Sequence, residues 1–508
     1  MAALGVADIF TDKCVLQRNK NIVIWGTGKE ESVVTARIDG NVSSSKVKDG
    51  RWKLILDPME ATKGKTLVVS DGKSELSFHD VAIGEVWLAG GQSNMEYELK
   101  DCTGGREMMD SDSPNVRFYY TPKYEYESPK YEHLKKEAHW ESFDEPGKTK
   151  WSAVGYIFAK ELSEKLGVTV GVIGCNWGGT SASAWMAESD LREDKELAVY
   201  FEEYDKNTQG VSFDEQERSY EEYLDYRSRW EPECARLYET VPGITWDEVI
   251  ARIGDSRYPG PINACNPMRP SGLYKTMLSK VIGYTLAGVI YYQGESDDHL
   301  PRLYDRLFKK MILRWRHDNG DEKLPFLAVE LPMHRYSQDP DFKNWPIIRK
   351  NQRKVSKELE NVGIAVCTDL GEFNEIHPHD KRGVAHRLFL QALWLVYHLA
   401  NEDEANGPLA DKCKVEGGKV TVHFAHAGSG LIIKGDELTG FEISDGDPAD
   451  EESFVPAKAV INGDNVIVSS ESVKAPTAVR YLWTNYGDVT LYGKNGICAE
   501  PFEFRDIK

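Results

Sequence analysis

Short apolar runs separated by turn signals open the chain, and the same pattern returns at its end. Up to about residue 80, segments such as Ile22-Val23-Ile24-Trp25 and Leu67-Val68-Val69 alternate with Asp49-Gly50 and Asp71-Gly72, which predicts an amino-terminal β-sandwich-like domain over 1–80. From about 405, Val420-Thr421-Val422-His423-Phe424, Leu431-Ile432-Ile433 and Val466-Ile467-Val468 repeat it between Gly, Asp and Asn, predicting a carboxyl-terminal β domain over 401–508. Whether the two β regions form one composite domain is left open by the pattern.

Between them, over 81–400, the periodicity becomes strand and helix in alternation. Strand-like runs fall at Val86 to Ala89, Val168 to Gly174, Ala287 to Tyr292, Phe326 to Leu331 and Gly363 to Asp369. Four-residue apolar steps mark helices at Val154-Phe158-Leu162 and Leu303-Leu307-Met311-Trp315, and a last helix over about 380–400 carries Val384, Leu388, Ala392, Leu395 and Leu399 on one face. Such alternation predicts an α/β fold with a five-stranded parallel sheet covered by helices. The stretch from about 187 to 270 breaks the pattern: it is rich in Glu, Asp and Tyr, helix-like over Glu215 to Trp230, and reads as an inserted helical lid or subdomain.

Composition narrows the partners. Asp plus Glu outnumber Lys plus Arg by 82 to 62 in 508 residues, a net charge of −20, and no basic cluster offsets it. That excludes nucleic acid and an anionic membrane surface as expected partners; a homo-oligomer stays compatible. Met1 to Val15 lack a basic start and a long apolar core, so no signal peptide is expected. Eight cysteines are scattered without Cys-x-x-Cys pairs, which points to reduced thiols, a cytoplasmic location and no zinc site.

Ligands of open α/β sheets bind outside the carboxyl ends of the strands, and those positions are chemically coherent here. Val86-Trp87-Leu88-Ala89 runs through Gly90-Gly91-Gln92 to Ser93, a turn that lifts a serine hydroxyl out of the sheet. No Gly-x-Ser-x-Gly pentapeptide occurs, which argues against an α/β-hydrolase nucleophile elbow. The second strand is followed by Asn176-Trp177-Gly178-Gly179-Thr180, the third by Gln293-Gly294-Glu295-Ser296, and the fifth by Glu372 to Asp380 with His377. A hydroxyl, backbone donors, an amide and an imidazole at neighbouring strand ends are the parts that acyl transfer from an ester needs.

These blocks resemble those of the SGNH hydrolases, in particular the branch of sialate O-acetylesterases and related carbohydrate acetylesterases. Gly91-Gln92-Ser93-Asn94-Met95 is similar to that branch's first block, and Trp177-Gly178-Gly179-Thr180 with Ala184-Trp185 to its second. Tyr292-Gln293-Gly294-Glu295-Ser296 is similar to the third and Ile376-His377-Pro378 to the last. The resemblance implies a flavodoxin-like SGNH core flanked by β regions. It implies Ser93 as nucleophile, His377 as base, and the Ser93 N–H, the Gly179 N–H and the Gln293 side chain as oxyanion hole, with Gly178 the alternative glycine. Where the wider family places an aspartate three residues before the histidine, this chain has Asn374. Glu375 is the preferred acid, Glu295, Glu372 and Asp369 are alternatives, and a Ser-His dyad stays open. The expected reaction is removal of O-acetyl groups from sialic acid or acetylated oligosaccharides, with xylan, mannan or xyloglucan fragments as the alternative substrates and a non-catalytic carbohydrate-binding protein as the rival class. No metal or organic cofactor is required. Trp177, Trp185, Tyr291, Tyr292 and Glu295 are candidates to contact a sugar, as are Asp297, Asp298 and His299.

Overall fold

The computed structural model describes residues 3–111, 114–428, 430–447 and 450–507; Met1, Ala2 and Lys508, at the ends of the two expected β regions, lie outside them. The chain divides into two compact units, residues 1–121, 138–179 and 281–508 forming one and residues 122–137 and 180–280 the other.

One large sheet organises the first unit. Six strands run parallel in the spatial order Val116–Tyr120, Val170–Asn176, Glu75–Gly91, Gly288–Tyr292, Phe326–Val329 and Val362–Ala365. Trp140–Ser142 adds an antiparallel edge beside Val116–Tyr120. The five strands expected from the apolar runs stand in the order 2-1-3-4-5, the flavodoxin-like winding. The expectation of five parallel strands falls one short. Val116–Tyr120 contains Arg117, a charge that hides a buried strand; its guanidinium is neutralised locally, donating to the Lys13 carbonyl at 2.8 Å and to Asp80 Oδ1 at 3.1 Å.

Alternation along the Glu75–Gly91 strand tells which helices cover which face. Trp87 packs its ring on Phe158 of the Ala153–Leu166 helix and donates its indole N–H to Tyr397, just beyond the Arg382–Leu395 helix. Gly90, three residues on and therefore on the other face, lies under Trp315 of the Tyr304–Asn319 helix. The last helix stops at Leu395, earlier than the apolar period suggests, and Leu399 is exposed. The Tyr397 hydroxyl is drawn to Glu85 at 3.0 Å, and His398 then turns the backbone at φ +53°.

The Glu75–Gly91 strand, 17 residues long, also crosses the boundary expected near residue 80. Its first part pairs antiparallel with Thr62–Ser70, its middle runs parallel to Val15–Gln17, and its last part enters the core sheet. At the other end of the chain, Leu409–Glu416, Lys419–Ala425, Asn465–Ser469 and Lys458–Asn462 form one four-stranded sheet. Val455–Pro456, Phe441–Ser444, Ala478–Tyr481 and Phe502–Arg505 form another. Val420, Val422, Phe424, Ile443, Val479 and Tyr481 join in one buried cluster, as alternating apolar positions on facing sheets should.

The second unit is helical. Its longest helix, Phe213–Thr240, begins in a capping box between Ser212 and Glu215, and Trp246–Ile253 begins in another between Thr245 and Glu248. Trp230, Leu237, Ile244 and Val249 form the cluster between them. Among the described residues no helix is long and apolar enough to cross a membrane.

Candidate active site

Ser93 stands at the turn where the longest strand ends. Gly91 carries φ +134°, and a Cβ there would lie 2.1 Å from the Tyr292 carbonyl oxygen, so the neighbouring strand admits only glycine. Gln92 then accepts from the Met95 and Glu96 N–H groups, opening the short helix Ser93–Glu96 with Ser93 as its first residue. The Ser93 N–H is therefore one of the donors that a helix start leaves without an intrahelical acceptor. Gln92 Oε1 also accepts from the Ser296 N–H at 3.1 Å, tying this turn to the third strand end.

His377 arrives from a segment 284 residues away, and its Nε2 lies 2.8 Å from Ser93 Oγ. Burial pushes this histidine below its usual range and the Lys381 ammonium adds to the shift, while Glu375 and Glu96 oppose it and His334 reinforces it. The ring is consequently neutral near pH 7, the state in which Nε2 accepts a hydroxyl proton.

The carboxylates considered as the histidine's partner occupy four different settings. Glu375 Oε1 is 3.7 Å from His377 Nδ1, beyond a hydrogen bond, and instead accepts the His377 backbone N–H at 2.8 Å. Glu372 accepts from the backbone N–H of His379 at 2.8 Å and lies 3.2 Å from its Nδ1. Asp369 is paired with Arg387 and accepts from Cys498 Sγ at 3.1 Å, so it braces the attachment of the carboxyl-terminal β region. Glu295 is buried and accepts from Asn94 Nδ2 at 2.7 Å.

Of the two glycines after the second strand, Gly178 gives its N–H to Glu96 Oε2 at 2.7 Å, and a Cβ on it would lie 3.3 Å from Ser93 Cβ. Gly179 takes φ +75°, a left-handed turn suited to glycine. Gln293 follows the strand that pairs with the nucleophile's own; its Nε2 donates to Asp297 at 2.5 Å and its Oε1 accepts from Tyr304 at 3.0 Å, which sets the amide's orientation.

Three of the aromatic residues expected to face a sugar are core residues instead. Tyr291 and Tyr292 are 1% exposed, interior positions of a strand flanked on both sides. Trp185, in the second unit, is fully buried and donates its indole N–H to Thr180 Oγ1 at 3.0 Å. Trp177 keeps an accessible part. Asp297 is fully buried against Gln293, and burial raises the Asp298 carboxyl. Three further residues belong to the site although the strand-end pattern does not single them out: Asn94, Glu96 and Lys381. Asn94 and Glu96 are betrayed only by adjacency to Ser93, and Lys381 only by preceding the helix that follows His377.

Residues 83–207 and 263–386, which carry all four blocks, match the model of the carbohydrate esterase, sialic acid-specific acetylesterase family. The core of the chain carries this family's domain. It is a carboxylic ester hydrolase, and the rival of a non-catalytic sugar-binding protein falls away. The esterase is 26% identical to the sialate O-acetylesterase of Mus musculus, with 96% of this chain and 91% of the mouse protein covered. Against that of Homo sapiens it is 25% identical over 98% and 91%. A carbohydrate acetylesterase from Xanthomonas citri, known as a crystal structure, is 27% identical and aligns with a TM-score of 0.76 over 98% of the esterase and 99% of its own chain. The part of the esterase that the family model passes over, residues 208–262, holds the long helix Phe213–Thr240.

Proposed function

We propose that the esterase removes O-acetyl groups from carbohydrates through an acetyl-enzyme intermediate on Ser93. The observation that carries this reading is the 2.8 Å contact between Ser93 Oγ and His377 Nε2 at the carboxyl edge of a parallel sheet. Ser93 Oγ attacks the acetyl carbonyl as its proton passes to Nε2. The carbonyl becomes a tetrahedral oxyanion held by the Ser93 and Gly179 N–H groups and the Gln293 amide. Collapse breaks the bond to the sugar oxygen, which takes the proton from His377 and leaves as the free alcohol. Water then gives a proton to His377, attacks the acetyl-serine and releases acetate, and the proton returns to Ser93. Gly179 is the preferred glycine because Glu96 already occupies the N–H of Gly178.

O-acetylated sialic acid is the first substrate to assay, because similar proteins are named as sialate O-acetylesterases. Acetylated xylo-, manno- and xyloglucan oligosaccharides complete the panel. Acetate release by Ser93→Ala should fall by a factor on the order of 10⁶ in kcat, and a fluorophosphonate should label the parent enzyme at Ser93 alone. Acetate release by Ser93→Ala near the parent rate would sink the mechanism.

A further inference from the structure

Glu375, the preferred acid, stands 3.7 Å from His377 Nδ1, beyond a hydrogen bond, yet His377 meets Ser93 at hydrogen-bond distance. Something else holds the two segments together. The side chain of Asn94, next in sequence to Ser93, is 1% exposed and makes three hydrogen bonds. Its Nδ2 donates to the carbonyl of Ile376, the residue before His377, at 2.9 Å, and to Glu295 Oε1 at 2.7 Å. Its Oδ1 accepts from Lys381 Nζ at 2.5 Å. The partners leave no ambiguity about which end is which: an ammonium only donates and a backbone carbonyl only accepts.

We infer that Asn94 is the positioning residue of the reacting pair: its carboxamide, one residue from Ser93 and hydrogen-bonded one residue from His377, sets their approach. The inference rests on the reading of Ser93 and His377 as that pair. The link is as short as the chain allows, since each dyad member is a direct neighbour of an atom in the bridge. The other two contacts keep the bridge stiff. Glu295 comes from the end of the third core strand, and Lys381 from the start of the helix that follows His377. Lys381 is wholly enclosed, and burial lowers its ammonium to about 8 while Glu295 supports the charge. Its Nζ also lies over the rings of Tyr97 at 4.7 Å and Tyr292 at 5.7 Å. A carboxamide clamped among an ammonium, a backbone carbonyl and the Glu295 carboxyl, which burial raises, has one orientation, so the Ile376 carbonyl and the ring beyond it inherit that order. The position asks for an amide: an aspartate has the same shape, but it would turn a carboxylate oxygen toward both the Ile376 carbonyl and Glu295.

Asn94→Ala, Asn94→Asp and Ser93→Ala, each in the full chain, test this with a nitrophenyl acetate and a fluorophosphonate as probes. A misplaced dyad costs roughly 10²-fold, so both Asn94 variants should lose about that factor in kcat with KM within about threefold of the parent. Labelling of Ser93 by the fluorophosphonate should slow in step with kcat. The isosteric Asn94→Asp should be at least as impaired as Asn94→Ala, the reverse of what a space-filling role gives. If Ser93→Ala is inactive while Asn94→Ala keeps a kcat within threefold of the parent, the positioning role is overturned and the catalytic reading stands. If Ser93→Ala retains activity, the catalytic reading itself fails. Loss of the folded state in both Asn94 variants, read by circular dichroism, also overturns the inference, because the residue would then be holding the fold.

Discussion

Glu375 touches His377 through the main chain: its carboxylate is 2.8 Å from the histidine's backbone nitrogen and 3.7 Å from Nδ1 of the ring. The two distances separate a residue that steadies a loop from one that orients an imidazole. Glutamine keeps an oxygen able to accept the backbone N–H, whereas alanine does not. Glu375→Gln should therefore lower kcat by less than about tenfold, and Glu375→Ala by more, near the 10²-fold of a displaced catalytic group. A loss beyond 10³-fold in Glu375→Gln, measured under saturating substrate, would give the carboxylate the orienting role after all.

The acid limb of kcat/KM should lie below the ordinary histidine value of about 6.5, since the base works only when neutral and its neutral form persists to lower pH here. Burial and the charges of Lys381 and His334 act in that direction, and Glu375 and Glu96 act against it. Removing one depressing charge raises the histidine's pKa, so Lys381→Met should move the limb to higher pH, whatever it does to the plateau. A limb that stays put, or moves down, contradicts the electrostatics described.

The two neighbouring glycines should respond differently to alanine. At Gly179, φ +75° makes any L side chain strained by roughly 1–2 kcal/mol, and the turn cannot relax without moving its N–H. Gly178→Ala keeps the hydrogen bond to Glu96 and meets Ser93 Cβ at 3.3 Å, a contact that a few tenths of an ångström relieve. Steady-state kinetics on both variants should show the larger fall in kcat for Gly179→Ala, and the opposite ranking would move the oxyanion donor to Gly178.

Asp369 should matter to stability and little to turnover. It and Arg387 are side chains about nine-tenths buried, and burial, which raises a carboxyl, is outweighed by the Arg387 hydrogen bonds, which hold Asp369 below its usual range. Breaking a buried pair by removing one partner costs about 3–5 kcal/mol. Asp369→Ala should show that loss in urea unfolding, with kcat of the folded fraction within twofold of the parent.

How much of this could be read from the chain differs by element. The runs at Val86, Val168, Ala287, Phe326 and Gly363 each became a strand, because a strand buried on both faces advertises itself as continuous apolar sequence. Val116–Tyr120 is a strand that the sequence conceals, because its Arg117 is satisfied by Lys13 and Asp80, partners that only the fold brings near. At the site, Ser93 and His377 stand out because strand ends are where α/β sheets expose chemistry. The setting of Glu375 was illegible for a reason of scale: whether a carboxylate two residues from a histidine faces the ring or the backbone depends on a turn of the loop, and no residue pattern encodes it. Asn94 was hidden by distance, since its bond to Ile376 spans 282 positions. Tyr291 and Tyr292 show the converse error, where aromatic residues beside a motif are ordinary sheet interior.

The unbroken strand Glu75–Gly91 bears on how this enzyme can be re-engineered. Its amino-terminal β region is no detachable cassette: Val15–Gln17 and Thr62–Ser70 pair along the same ribbon whose tip presents Ser93. A graft or truncation ending near residue 80 would leave the nucleophile at the end of a cantilever with its anchored half removed, so exchange of specificity between relatives is better sought in loops after the other strands.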